Sequence, residues 1–255
     1  MKFIILGCGS SMGIPRADGF FGNCDSKNKK NHRSRCSALL KTNSETILFD
    51  TSPDLRQQLI NNKIKNINKV FYSHMHADQT HGINDLRYFY LKNKNQIPVF
   101  ANIRTTKYLL KSFKYCFQNR SNFYPPIMKL KKLKKKHTFF SNRINIRSFE
   151  VSHGSIMSVC YIINNKLAYA SDVNFINPKN YSNIYKLEYF VVDCLREESH
   201  PSHFNLNNVL ELIKEIKPKN AVLTNLHSSL DYKKLKKKLP KNVYPAYDGM
   251  KLIFN

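Results

Sequence analysis

Short apolar runs rich in β-branched and aromatic residues recur along the chain, each bounded by polar or turn residues, and each reads as a strand. They are KFIILG from Lys2, SALLKT from Ser37, ETILFD ending at Asp50, KVFYSH ending at His74, IPVFAN from Ile97, INIRSFEVSH ending at His153, SVCYIIN from Ser158, KLAYASD ending at Asp172, YFVVDC from Tyr189 and AVLTNLH ending at His227. Between some of them the apolar spacing changes to i, i+3, i+4, which predicts helices. These are LRQQLINN from Leu55, INDLRYFYLKN from Ile83, TTKYLLKSFKYCF from Thr105, LNNVLELIKEI from Leu206 and YKKLKKKL from Tyr232. Strands alternating with helices in two batches predict an α/β protein with helices outside two sheets. A single doubly wound sheet fits the same pattern. At 255 residues the chain is expected to form one domain over 1–255.

The polar residues at the strand ends carry the candidate chemistry. Asp50, His74, His153, Asp172 and His227 each close a predicted strand, and His76 and Asp78 follow His74 at once. Loops at strand ends are where a rigid scaffold fixes groups that solvent can still reach. The densest signal is His74-Met75-His76-Ala77-Asp78, where alternation puts both imidazoles on one side of a turn. Imidazole with carboxylate suits zinc, manganese or iron. The alternative is a polar turn in which Asp78 caps the following helix. A two-metal site needs several more ligands and a shared carboxylate, and His153, Asp172 and His227 supply a set of that kind.

The net charge of +25, from 42 Lys and Arg against 17 Asp and Glu, creates a field that attracts polyanions, nucleic acid included. Lys and Asn are spread along the whole chain, so a solvated basic surface explains the charge equally. The run KLKKLKKKH, Lys129 to His137, reads as a solvated loop or strand edge, with a phosphate-facing patch as the other reading. Six scattered cysteines without a C-x-x-C pair predict free thiols. The absence of a long apolar run and of a leader-like N-terminus predicts a soluble, cytoplasmic protein with no membrane association.

The order Asp50, His-x-His-x-Asp, then isolated His, Asp and His resembles the ordered motifs of the metallo-β-lactamase superfamily. GCGSSMGIP, GNCDSKNKKNHRSRCS, SHMHADQTHGINDLR, HPSHFNLNNVLELI and YPAYDGMKL together resemble its branch of phosphoribosyl 1,2-cyclic phosphate phosphodiesterases. The resemblance spans nearly the whole chain and implies an αββα sandwich, a metal-dependent phosphodiesterase and a small phosphorylated substrate. It implies two divalent ions, Zn2+ or Mn2+, one held by His74, His76, His153 and Asp172, with Asp172 bridging. The second would be held by Asp78, position 79, Asp172 and His227. The family has a histidine at that position and this chain has Gln79, so the second ion is expected to bind more weakly unless Gln79 or His81 compensates.

The resemblance also assigns His203 as general acid, with Asp78 beside it among the catalytic residues and His200 orienting substrate. Asp50 is expected to orient a ligand histidine. Arg87 and Arg196 are candidate phosphate contacts. The family's complete structural zinc site is not expected, because the early loop offers only Cys24 and, much later, Cys36, and Leu230 stands where the family has a histidine. Two packed thiols are expected, with an incomplete or different site of Cys24, Cys36 and His32 as the other reading. Two further readings stay open: a tRNA 3′-processing endonuclease of the same superfamily, and a phosphate-ligand binder disabled by Gln79. A homodimer is one expected assembly.

Overall fold

In the computed structural model, which describes residues 1–119, 125–133, 138–141 and 144–254, two seven-stranded sheets pack against each other with helices outside, an αββα sandwich. The first half of the chain builds β1 (Lys2–Gly7), β2 (Ser37–Lys41), β3 (Thr46–Phe49), α1 (Leu55–Asn61), β4 (Lys69–Phe71), α2 (Ala77–Thr80), α3 (Arg87–Asn93), β5 (Ile97–Ala101), α4 (Ile103–Ser112), α5 (Lys114–Phe117) and β6 (Met128–Lys132). The second half builds β7 (Thr138–Ser141), β8 (Ile144–His153), β9 (Ile156–Ile163), β10 (Leu167–Ala170), α6 (Tyr181–Ile184), β11 (Tyr189–Asp193), α7 (Leu206–Ile216), β12 (Asn220–Thr224), α8 (Tyr232–Lys238), β13 (Val243–Pro245) and β14 (Met250–Ile253). The strand orders are β14-β1-β2-β3-β4-β5-β6 and β13-β12-β11-β10-β9-β8-β7.

Each sheet is antiparallel in one half and parallel in the other. Strands β3 to β6 run parallel in the first sheet, and β10 to β13 in the second. The carboxyl ends of a parallel run lie along one edge, so the residues after β3, β4, β10, β11 and β12 gather where the two sheets meet. That topology, rather than proximity in sequence, brings Asp50, His74, Asp172 and Asp193 together.

Both faces of the central strands are buried, which explains their nearly continuous apolar runs. Period-two alternation sends Phe3 and Ile5 inward to meet Phe49, Tyr161, Tyr169 and Val191, and Ile4 and Leu6 outward to α1. Aromatic rings fill the inner layer: Phe71 stacks on Phe100 at 4.5 Å between centroids, and Phe49 meets Tyr161 of the other sheet at 5.4 Å. The outer face of the second sheet is covered by Val209, Leu212, Ile213 and Ile216 of α7 and Leu235 of α8. Asn205 and Asp231 cap these two helices through side-chain oxygens, as the sequence places them.

Several strands end earlier than their sequence pattern predicts. β4 stops at Phe71, β10 at Ala170 and β12 at Thr224, so His74, Asp172 and His227 stand on turns two or three residues further on. Asp50 and Asn225, each just past a strand, adopt φ near +60°, which breaks the ladder there. The lysine run was open between loop and strand edge, and its first part is the edge strand β6. Met128 is buried and Lys129 and Lys131 are exposed, an alternation that protects an open edge with charge. Residues 134–137 of that run lie outside the described residues. No helix among the described residues is long and apolar enough to cross a membrane.

Candidate metal centre

His74 and His76 flank the turn between β4 and α2. Nε2 of His74 lies 2.9 Å from Nδ1 of His76, and Nε2 of His153, the last residue of β8, lies 3.2 Å from the same Nδ1. The three rings meet edge to face at 4.5–5.0 Å between centroids. Two of them, His153 and His74, are fixed from behind. Nδ1–H of His153 donates to the Ser202 carbonyl at 2.6 Å, so its Nε2 presents a lone pair. Nδ1 of His74 meets the Ser73 hydroxyl at 3.0 Å, and the Ser73 N–H donates to Asp50 at 2.7 Å. Asp50 therefore acts on His74 through Ser73 and not by touching a histidine.

Lone pairs of three imidazoles turned toward one another are unfavourable without a proton or a cation between them. Burial pushes His74 down to about 3, with the neighbouring rings adding to the effect, and lowers His76 and His153 as well, so these rings are neutral ligands near neutral pH. Asp172 completes the set, its ligand atoms gathering with those of His153 and His203. Asn225 donates to its Oδ1 at 3.0 Å, and its buried Oδ2 has no partner among the described residues. Burial works against the charge of Asp172, yet His74, His153 and His203 hold it below the usual carboxylate range. An orphaned carboxylate oxygen beside three neutral imidazoles fits a divalent cation.

Asp78 is not a helix cap, since His76 occupies that position. Burial and the charge of Asp172 push its carboxyl up to about 6, the signature of two carboxylates facing each other. Gln79 is buried beside it. Its Nε2 donates to Asp78 Oδ2 at 3.2 Å, and its Oε1 has no partner among the described residues. His81 does not take over from Gln79: its Nε2 lies 3.0 Å from the Tyr108 hydroxyl and its ring packs against Phe113. His227 is half-buried, its Nδ1 accepts from the Ser229 N–H at 3.2 Å, and its ligand atoms do not gather with those of the histidine cluster or Asp172 among the described residues.

A proton-handling pair stands beside the cluster, with the His203 ring edge-on to His153 at 4.7 Å between centroids. Nδ1–H of His203 donates to Asp193 at 2.6 Å, and the same oxygen accepts from the Val173 N–H. Burial opposes the charged ring, but Asp193, with Asp172 and Asp78 beyond it, pushes His203 up to about 9. Burial raises Asp193 itself to about 7. His200 packs 5.0 Å from the His203 ring. Asp193 and Asn225 were not singled out from the sequence. Asp193 ends the strand YFVVDC just as Asp50 ends ETILFD, so the same rule would have found it.

Of the remaining candidates, Arg196 donates through Nη2 to the Ser199 carbonyl and stands close enough to His227 and His200 for its charge to lower both, and Arg87 is exposed at the start of α3. The Cys24 thiol donates to the Ser228 carbonyl, Cys36 to Gly9, and His32 meets the Ser26 carbonyl, so these three do not converge.

The profile of the beta-lactamase superfamily domain matches residues 45–225, the stretch that carries every ligand candidate except His227. The chain belongs to the metallo-β-lactamase superfamily. A diphosphatase of the PhnP family has the same fold, with a TM-score of 0.89, 26% identity, and coverage of 100% of this chain and 98% of that one. Zn2+-bound PqqB from Methylobacterium extorquens shares the fold at 16% identity and a TM-score of 0.77, over the full length of both chains. An octanoyltransferase of Porphyromonas gingivalis is 28% identical over 261 residues, covering 100% of this chain. This metallo-β-lactamase chain spans about half, 52%, of that relative.

Two predictions concern how the metallo-β-lactamase site is supported. Gly154 turns β8 into β9 at φ +59°, and a Cβ there would come within 2.8 Å of the Ser202 Cβ. Gly154→Ala should push Ser202 off His153 and cost about 1–3 kcal/mol, read as a lower urea midpoint; an unchanged midpoint would refute it. Asp50→Asn should weaken zinc binding about 10–100-fold in a competitive titration, as lost orientation of a ligand histidine does. Unchanged affinity would mean that Ser73 holds His74 without Asp50.

Proposed function

We propose that this metallo-β-lactamase-fold protein is a metal-dependent hydrolase of phosphate esters, acting on a small phosphodiester such as a cyclic ribose phosphate or cyclic nucleotide. The observation that carries the reading is the juxtaposition of two unlike devices. Three neutral imidazoles and Asp172 form a cation-holding wall, and a protonated His203 faces it with Asp193 behind.

His74, His76, His153 and Asp172 would hold one divalent ion, and Asp172, Asp78, Gln79 and His227 the other. Bound there, the ions supply an activated water and offset charge on the phosphoryl oxygens. The chain's own residues do the rest. Asp193 keeps the Nδ1 proton of His203 in place, which turns Nε2–H toward the cleft as a donor for the departing oxygen. Asn225 holds Asp172, donating from its amide nitrogen to Oδ1 at 3.0 Å; the same nitrogen lies 3.2 Å from Nδ1 of His203, a contact and not a hydrogen bond while Nδ1 carries the proton given to Asp193. Ser202 contributes through its carbonyl, which locks the His153 tautomer.

The PhnP-family diphosphatase supports phosphoryl chemistry on this scaffold. Acyl transfer has no part in the proposal, because about half of the octanoyltransferase lies outside the match. The charge of +25 favours a second reading, cleavage of RNA. A substrate panel separates them: bis(p-nitrophenyl) phosphate, a cyclic ribose phosphate, a nucleoside diphosphate and a precursor tRNA, each with Mn2+ or Zn2+. The proposal predicts turnover of the cyclic phosphate above the others. Cleavage of the tRNA alone would replace it with the RNA reading, and cleavage of none would overturn both.

A further inference from the structure

The two proposed metal positions differ in donor chemistry, because the substitution at residue 79 falls on one of them only. The first is rich in imidazole, with His74, His76 and His153 nitrogens converging beside Asp172. The second, as proposed, would draw on oxygen from Asp78, from Asp172 Oδ2 and from the Gln79 amide, against a single imidazole, His227; Gln79 is joined to Asp78 directly. Both Asp172 Oδ2 and Gln79 Oε1 are buried and lack any partner among the described residues. Gln79 shows no solvent exposure and Asp172 only 2%.

Buried acceptors of this kind are rare, since each lost hydrogen bond goes uncompensated. Two carboxylates, Asp78 and Asp172, stand near the Gln79 amide oxygen, and His203 is a cation whose charge acts on both. The amide orientation follows from the same contacts. Nε2 must face Asp78 Oδ2, because the reverse would set two acceptors together, and so Oε1 is the end left buried and without a partner among the described residues.

We infer that the second position is an oxygen-donor site that selects a hard cation such as Mn2+ over Zn2+, giving a mixed centre with zinc at the imidazole position. Carboxylate and carbonyl oxygens suit manganese and magnesium, whereas imidazole suits zinc. The inference rests on the proposed metal-dependent function and sharpens it: Gln79 does not abolish the second ion but changes which ion is kept. Gln79 is a selectivity residue, acting through the oxygen that it offers.

Elemental analysis and manganese electron paramagnetic resonance test it without any assay of turnover. The protein is stripped with chelator, equilibrated with zinc alone or with equal zinc and manganese, and desalted. Zinc alone should leave about one equivalent per chain, and the mixture about one zinc and one manganese, with the resonance of bound manganese. Gln79→His should take about two zinc from the mixture and lose that resonance. Gln79→Glu, which keeps an oxygen donor, should retain manganese and serves if the histidine variant does not fold. Two zinc on the unaltered protein from the mixture, or one zinc and no manganese, would overturn the inference while leaving the zinc position intact. No retained metal of either kind would overturn the metal-dependent function as well.

Discussion

Asp172→Asn should lower phosphodiester turnover by at least on the order of 10²–10³-fold and leave the protein unable to keep both ions. Asp172 is the one side chain that both proposed positions share. It is buried, its Oδ2 has no partner among the described residues, and three histidines surround it. An amide preserves the shape and the contact to Asn225 but removes the charge that balances the cations. Loss of metal with a normal far-ultraviolet spectrum would locate the defect in the site. Unchanged metal content and turnover would show that the ions, if any, bind elsewhere.

His203→Ala should give the second-largest loss, and one that depends on the leaving group. For a substrate releasing a poorly acidic ribose hydroxyl, removing a general acid costs about 10²–10⁴-fold. For bis(p-nitrophenyl) phosphate, whose phenolate departs without a proton, the loss should be far smaller. Asp193→Asn should fall between, because it leaves the ring in place while removing the carboxylate that holds its proton at 2.6 Å. The dependence of kcat on leaving-group acidity measures this directly. An equal loss on both substrates would assign His203 to binding or folding rather than to proton transfer.

These expectations rest on features that differ in how readable they are from sequence. His74, His76, His153 and Asp172 were legible because strand-end position and ligand type coincide; parallel strands bring the ends of β4 and β10 to one edge, whereas His153 comes from the end of the antiparallel β8. The pairing of His203 with Asp193 was half legible: His203 through the resemblance, Asp193 not at all, although it ends its strand as Asp50 does. Asn225 was hidden because an asparagine at a strand end usually signals a turn, and it makes one, at φ +60°. Strands β6, β7, β13 and β14 escaped the apolar pattern for a simple reason. They are three to five residues long and stand at sheet edges, too short for a run of alternating residues to stand out, and in β6, MKLKK, lysines break the apolar pattern as well. The fate of His81 needed coordinates, since only the position of Tyr108 on α4 shows where its ring is held.

Gln79 marks the sharpest contrast between the two levels. As a letter it is a missing histidine and predicts a weakened site. In the fold it is a buried amide that braces Asp78 with one end and offers an unpartnered oxygen with the other. Substitution of a ligand thus reads as a change of donor chemistry once its surroundings are known.

The central claim is that hydrolysis depends on ions held at the junction of the two sheets. Turnover of a cyclic ribose phosphate should be measured on the purified protein, after exhaustive chelation, and after return of zinc and manganese. Activity that disappears with chelation and returns with the metals is the expected result. Full activity in the chelated, metal-free protein would contradict it.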